Sequence, residues 1–178
     1  LNKQRTNKIT YLGIIKYFYN NYLFIDNIKK VKKYFGSKIT DTTEEQKKQL
    51  SDYPLLFNKF IGQKHYNFSF KTPDYFLGSL DVDFINKQLR NIRCQLFAEG
   101  FFANNFGLKN QKKYIHDFFS NKLGQTKEMN PKMPFTNTLS WIDNENNLFI
   151  SLSDNKKQKE VRRYISLGIE LNSRNASY

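Results

Sequence analysis

Apolar residues between Ile9 and Phe35 recur at intervals of three, four and seven positions: Tyr11, Ile15, Phe18, Tyr22, Ile25, Ile28 and Phe35. That spacing predicts an amphipathic helix with one covered face. Lys29, Lys30, Lys32 and Lys33 load its last turns, where the helix dipole favours cations, and Gly36 supplies a left-handed stop. The helix reads either as an arm that docks on a partner or as a cover for the chain's own core. Thr42 and Glu45 have capping-box spacing and predict a short second helix, which Asp52-Tyr53-Pro54 ends.

From Leu55 the pattern changes to short apolar runs alternating with helical stretches. Leu55 to Ile61 runs to Gly62, and Tyr75-Phe76-Leu77-Gly78 follows Pro73. Phe84 to Phe97 predicts a helix, or a strand followed by a helix. Gly100 to Asn105 predicts a buried strand with a polar exit. Lys109 to Leu123 predicts an amphipathic helix with Ile115, Phe118 and Phe119 inward and Gly124 as its stop. Leu148 to Leu152 predicts an apolar strand. Asp154 caps a predicted helix to Leu167, with Val161, Tyr164 and Ile165 on one face, and Ile169-Glu170-Leu171 opens another strand. Strands alternating with helices imply parallel pairing through right-handed crossovers. The expected architecture is α/β. A flavodoxin-like (Rossmann-like) parallel sheet flanked by helices would span residues 53–178, behind a basic helical N-terminal extension over residues 1–52.

Charge changes the picture more than any motif. The chain has 178 residues, with 29 Lys plus Arg against 16 Asp plus Glu, a formal net charge of +13. Such a surplus repels itself in a compact chain and becomes favourable when phosphates neutralise it. The expected partner is therefore a polyanion, foremost RNA. Lys, Asn, Phe, Tyr and Ile are abundant while Ala and Pro are rare, the signature of an AT-rich genome such as an organelle's. Codon drift of that kind explains part of the lysine excess, but the acids have not risen to match. A chain that opens on Leu1 points to a processed end or an unusual start codon. Cys94 is the lone cysteine, which fits a reducing compartment, and no apolar run reaches the ~20 residues of a membrane span.

Candidate chemistry is sparse. His65 and His116 are the two histidines, and neither has a partner at metal-ligand spacing. No nucleophile elbow, P-loop or dinucleotide fingerprint occurs. The reading is of no catalytic residue, no metal and no cofactor, and of cations that position phosphates. The candidate RNA-contacting residues are Lys29, Lys30, Lys32, Lys33, Lys64, Lys71, Lys109, Lys112, Lys113, Asn137, Lys156, Lys157, Arg162 and Arg163.

Two stretches resemble known families. Phe76-Leu77-Gly78-Ser79-Leu80-Asp81-Val82-Asp83 resembles the LAGLIDADG motif of homing endonucleases, in which a small-residue helix ends in a Mg²⁺-binding acid, here Asp83. That resemblance implies a homing endonuclease or maturase acting on DNA or intron RNA. A longer ordered series covers residues 54–175. Leu55-Leu56 with Gly62, Tyr75-Phe76-Leu77-Gly78, Phe84-Ile85-Asn86, Phe101 to Asn105, Asn137-Thr138-Leu139-Ser140-Trp141 and Leu167-Gly168-Ile169 resemble successive segments of the small-subunit ribosomal protein S-two family. Relative to that family, Phe60 stands where its histidine falls, and its helical hairpin is missing between Trp141 and Leu148. The resemblance implies a flavodoxin-like domain without catalysis, a structural constituent of the small subunit of a mitochondrial ribosome in the matrix. Its partners would be ribosomal RNA and neighbouring small-subunit proteins, with no membrane and no small-molecule substrate. A third reading is an accessory subunit of another mitochondrial assembly.

Overall fold

The structure, a computed structural model, describes residues 10–35, 39–53, 62–72, 76–97, 105–129, 136–155 and 164–172. Helix α1 (Tyr11–Asn21) runs into a single 3-10 turn (Tyr22–Phe24) and then α2 (Ile28–Phe35). A two-residue strand β1 (Thr40–Asp41) and α3 (Thr43–Leu50) follow. Three long strands come next: β2 (Gln63–Lys71), β3 (Leu77–Ile85) and β4 (Gln88–Phe97). Helix α4 (Asn105–Leu123) leads to β5 (Lys127–Met129), β6 (Thr136–Asp143), β7 (Leu148–Asn155) and β8 (Tyr164–Leu171). They form one eight-stranded sheet in the order β1-β2-β3-β4-β8-β7-β6-β5, and every pairing among the described residues is antiparallel.

The flavodoxin-like parallel sheet is therefore wrong, and with it the fold that the S-two resemblance implies. A parallel sheet is covered on both faces and its strands read as near-continuous apolar runs. These strands alternate instead. In β2 Tyr66, Phe68 and Phe70 turn to one side and His65, Asn67 and Ser69 to the other. In β8 Ile165, Leu167 and Ile169 alternate with Tyr164, Ser166, Gly168 and Glu170. The stretch Phe84 to Phe97 is not a helix but the end of β3, a tight turn and β4. Asn86 and Lys87 have φ of +50° and +66°, the left-handed pair of a two-residue hairpin turn, which joins antiparallel strands only. The predicted helix from Asp154 to Leu167 has strand β7 at its start and strand β8 at its end.

Other expectations hold. Lys109 to Leu123 lies within α4, and Gly124 ends it at φ +84°. Leu148 to Leu152 lies in β7, and α3 starts after Thr42. Its cap is not the capping box: Asp41 accepts from the Thr43 backbone N–H at 3.0 Å. The single helix predicted over Ile9–Phe35 is broken into two at Ile25–Asn27. Gly36, Leu55 to Ile61 and Gly100 to Asn104 lie outside the described residues.

Helices α1, α2 and α4 pack on one face of the sheet and share one core with it. Tyr11, Ile14, Ile15 and Phe18 of α1 are fully buried together with Leu80, Ile92, Leu96, Ile150 and Leu167 of the strands. Phe35 of α2 packs between Phe18 and Phe68, and Phe119 of α4 lies against Trp141 and Tyr19. Two hydroxyls fix α1 and the turn after it along β4: Tyr11 donates to the Cys94 carbonyl at 2.7 Å and Tyr22 to the Arg90 carbonyl at 2.6 Å. Of the two roles open to the N-terminal helix, the structure shows the cover for the chain's own core. Among the described residues nothing covers the opposite face over its central strands, while α3 lies at its β2 margin through Gln46, 3.3 Å from His65.

Candidate nucleic-acid interface

Burying the apolar stripes of α2 and α4 turns their polar stripes outward, and those stripes are lysine-rich. Val31 and Phe35 are buried in α2, so Lys29, Lys30, Lys32 and Lys33 are exposed. Lys30 is partly engaged at home, donating to the Phe24 carbonyl at 2.6 Å and lying 3.2 Å from Asp26. In α4 Ile115 and Phe119 are buried, and Lys109 and Lys113 are exposed. Lys113 pairs with Asp117 one turn on. Lys112 behaves differently: it reaches over the sheet margin to Asp154, 3.1 Å away, whose side chain is buried. Such a pair is structural, because removing the cation would take a charge partner from a buried carboxylate.

The resulting charge distribution is polarised. Residues 10–35 and 105–123, the helix layer, contain nine lysines and two acids, Asp26 and Asp117. The rest of the described residues contain eight bases and eleven acids. Among the described residues the net positive charge therefore belongs to one layer. Long cationic side chains on a rigid helical surface are what phosphate contacts require.

The remaining candidates are scattered. Lys64 and Lys71 sit near the two ends of β2, both exposed. Asn137 lies in β6 opposite Asp154 of β7. Lys156, Lys157, Arg162 and Arg163 lie outside the described residues. They belong to the sequence that joins β7 to β8, which holds five bases and one acid between Asn155 and Tyr164.

The endonuclease-like stretch takes a different shape from the one its motif implies. Leu77–Ile85 is strand β3, not a small-residue helix. Gly78 is needed for another reason: the Phe70 ring lies directly over it, and a Cβ there would fall 2.1 Å from the ring. Asp83 is held by His65 and by Asn91, which donates to it at 3.2 Å. His65 also lies 3.6 Å from Asp81, which accepts from Asn67 at 2.7 Å. Burial by itself would lower the His65 pKa, but the two aspartates outweigh it and hold the imidazolium up at about 9. Burial would raise Asp81, and His65, Asn67 and Arg93 together bring it below its usual range. These groups satisfy one another across β2, β3 and β4. Among the described residues, no group of three His, Cys, Asp or Glu side chains is placed to hold a metal ion.

Cys94 is buried among the core side chains, and burial pushes its thiol well up, which makes it unreactive. No described helix is long and apolar enough to cross a membrane. The feature missed at sequence level is the open sheet face, a lattice of Ser, Asn, Gln and charged residues between β2 and β6. Its signal was the period-two alternation in β2, β7 and β8. No family model, no curated protein and no solved structure matches this chain.

Proposed function

We propose that this protein is a non-catalytic RNA-binding component of a ribonucleoprotein assembly, with the small subunit of a mitochondrial ribosome as its specific setting. The observation that carries this reading is the polarised charge of the helix layer, with nine lysines against two acids. An exposed layer of that kind binds phosphates through point charges and needs no pocket. The ordered S-two-like segments no longer add weight, because the antiparallel sheet differs from the fold they imply. The ribosomal setting rests on the basic composition and its AT-rich character.

Gradient fractionation of the source organelle tests it. The protein should co-sediment with the small ribosomal subunit, and RNase treatment should release it. A protein that stays at the top of the gradient before any salt wash, or whose association with a large assembly survives RNase, sinks the reading. The endonuclease alternative has no observation in its favour once Leu77–Ile85 is a strand.

A further inference from the structure

The open face of the sheet carries a second feature, separate from the helix layer. Its cross-strand register places side chains in rows that run perpendicular to the strands. One row is Ser79, Gln95, Ser166, Ser153 and Thr138; the next is Asp81, Arg93, Gly168, Ser151 and Ser140. Solvent-facing positions in central strands favour β-branched and aromatic residues. Here the centre is filled with serine and glycine instead. The consequence is a trough of about 400 Å³ across β4, β8 and β7, with Gly168 in its floor. A glycine inside a strand weakens it and marks a place where something approaches the backbone closely. Gly168 also has little room for a side chain, since a Cβ would fall 2.9 Å from the Ser151 hydroxyl.

The margin of the trough is aromatic. Phe97 of β4 and Tyr164 of β8 face each other across the central pair, ring centroids 5.7 Å apart, both half-buried. Inside the trough are one guanidinium (Arg93), one carboxylate (Glu170), two carboxamides (Asn91 and Gln95) and several hydroxyls. A duplex backbone would require many cations, and one cation beside one carboxylate does not supply them. Carboxamides, hydroxyls and a guanidinium match the hydrogen-bonding edges of unpaired bases, and the rings match their faces.

We infer that the open face of the sheet is a binding platform for single-stranded RNA, with Tyr164 and Phe97 stacking on bases and Arg93 and Gln95 reading their edges. This rests on the RNA-binding reading above and divides the work between two surfaces: the helix layer holds phosphates of structured RNA, and the sheet holds an unpaired segment.

Fluorescence anisotropy with two labelled probes separates the two surfaces: a ten-nucleotide single-stranded RNA and an RNA hairpin without unpaired flanks. Tyr164→Ala should weaken the single-stranded probe by about 5- to 160-fold, the range of one lost base stack, and leave the hairpin unchanged. Ser166→Ile, which fills the trough while raising strand propensity, should weaken the single-stranded probe without loss of thermal stability. Replacing Lys29, Lys30, Lys32 and Lys33 by Gln should weaken the hairpin. If the single-stranded probe binds the wild type and neither sheet variant alters it, the platform is overturned while the helix-layer reading stands. If only the hairpin binds the wild type, the platform is likewise overturned. If neither probe binds, both readings fail.

Discussion

His65 shows how a single residue can tie two strands and a helix together, its charged ring holding β2 to β3 and its backbone carbonyl holding the start of α3. Its ring bridges Asp81 and Asp83 on β3, while its own backbone carbonyl accepts from the Thr42 N–H at 2.9 Å at the start of α3. The folded state raises its pKa from 6.5 to about 9. A raised basic group stabilises the fold fully below its unfolded pKa, and that contribution is lost as pH rises through the folded value. Stability should therefore fall between pH 7 and pH 10 by about 2 kcal/mol, after allowance for partial solvation of the cluster. Urea midpoints across that range check this, and His65→Gln should flatten the profile. Gly78 is the other residue whose identity is dictated locally. Because the Phe70 ring occupies the space of a Cβ, Gly78→Ala should destabilise the protein by about 1–3 kcal/mol, the usual cost of overpacking. Gly78→Ala combined with Phe70→Leu should recover part of the loss, measured by thermal melting.

At the scale of elements, α3 and α4 were legible, and most strands were not, β7 being the clearest exception. The α4 helix shows its stripe and its stop at Gly124, and α3 its entry at Thr42, because both depend on neighbours within a few residues. The β3–β4 hairpin was obscured by an irregularity. A bulge between Asp83 and Phe84 pairs Phe84 with Leu89 but Asp83 with Asn91, leaving Arg90 extra. One inserted residue changes the apolar spacing from two to three, so Leu89 and Ile92 both face the core and imitate a helix. The turn was obscured too, since Asn86-Lys87 lacks the glycine that usually announces a left-handed pair. Lys87 has φ +66°, a conformation that glycine adopts without a Cβ penalty. Lys87→Gly should stabilise the hairpin by about 0.5–1 kcal/mol, read as a higher urea midpoint at unchanged slope. In β8 the alternation was present, but reading Val161 with Tyr164 and Ile165 gave a helical interval that masked the strand starting at Tyr164. For the candidate interface, exposed lysines on α2 and α4 were readable from the stripes they oppose. The capture of Lys112 by Asp154 was not, because those residues are 42 positions apart in sequence.

For the whole molecule the question is whether +13 is a working feature or a by-product of AT-rich codons. Drift would scatter lysines over any surface that tolerates them. Folding instead leaves seven net positive charges on the helix layer and three net negative ones on the rest of the described residues. That separation yields a quantitative expectation. Each phosphate neutralised on a duplex stem releases counterions and contributes roughly 0.9 to the slope of log K against log salt, and on a single strand roughly 0.7. Replacing Lys29, Lys30, Lys32 and Lys33 by Gln removes four cations and should lower the slope for the hairpin by roughly 3.6 if all four are engaged. Arg93→Gln, a single cation on the opposite face, should change the slope for the single-stranded probe by no more than roughly 0.7. Salt titrations from 50 to 300 mM would separate the cases. A slope unaltered by the α2 substitutions would mean that the helix-layer lysines are only solvated. A slope that drops as stated would assign phosphate binding to the layer that the buried stripes of α2 and α4 orient outward.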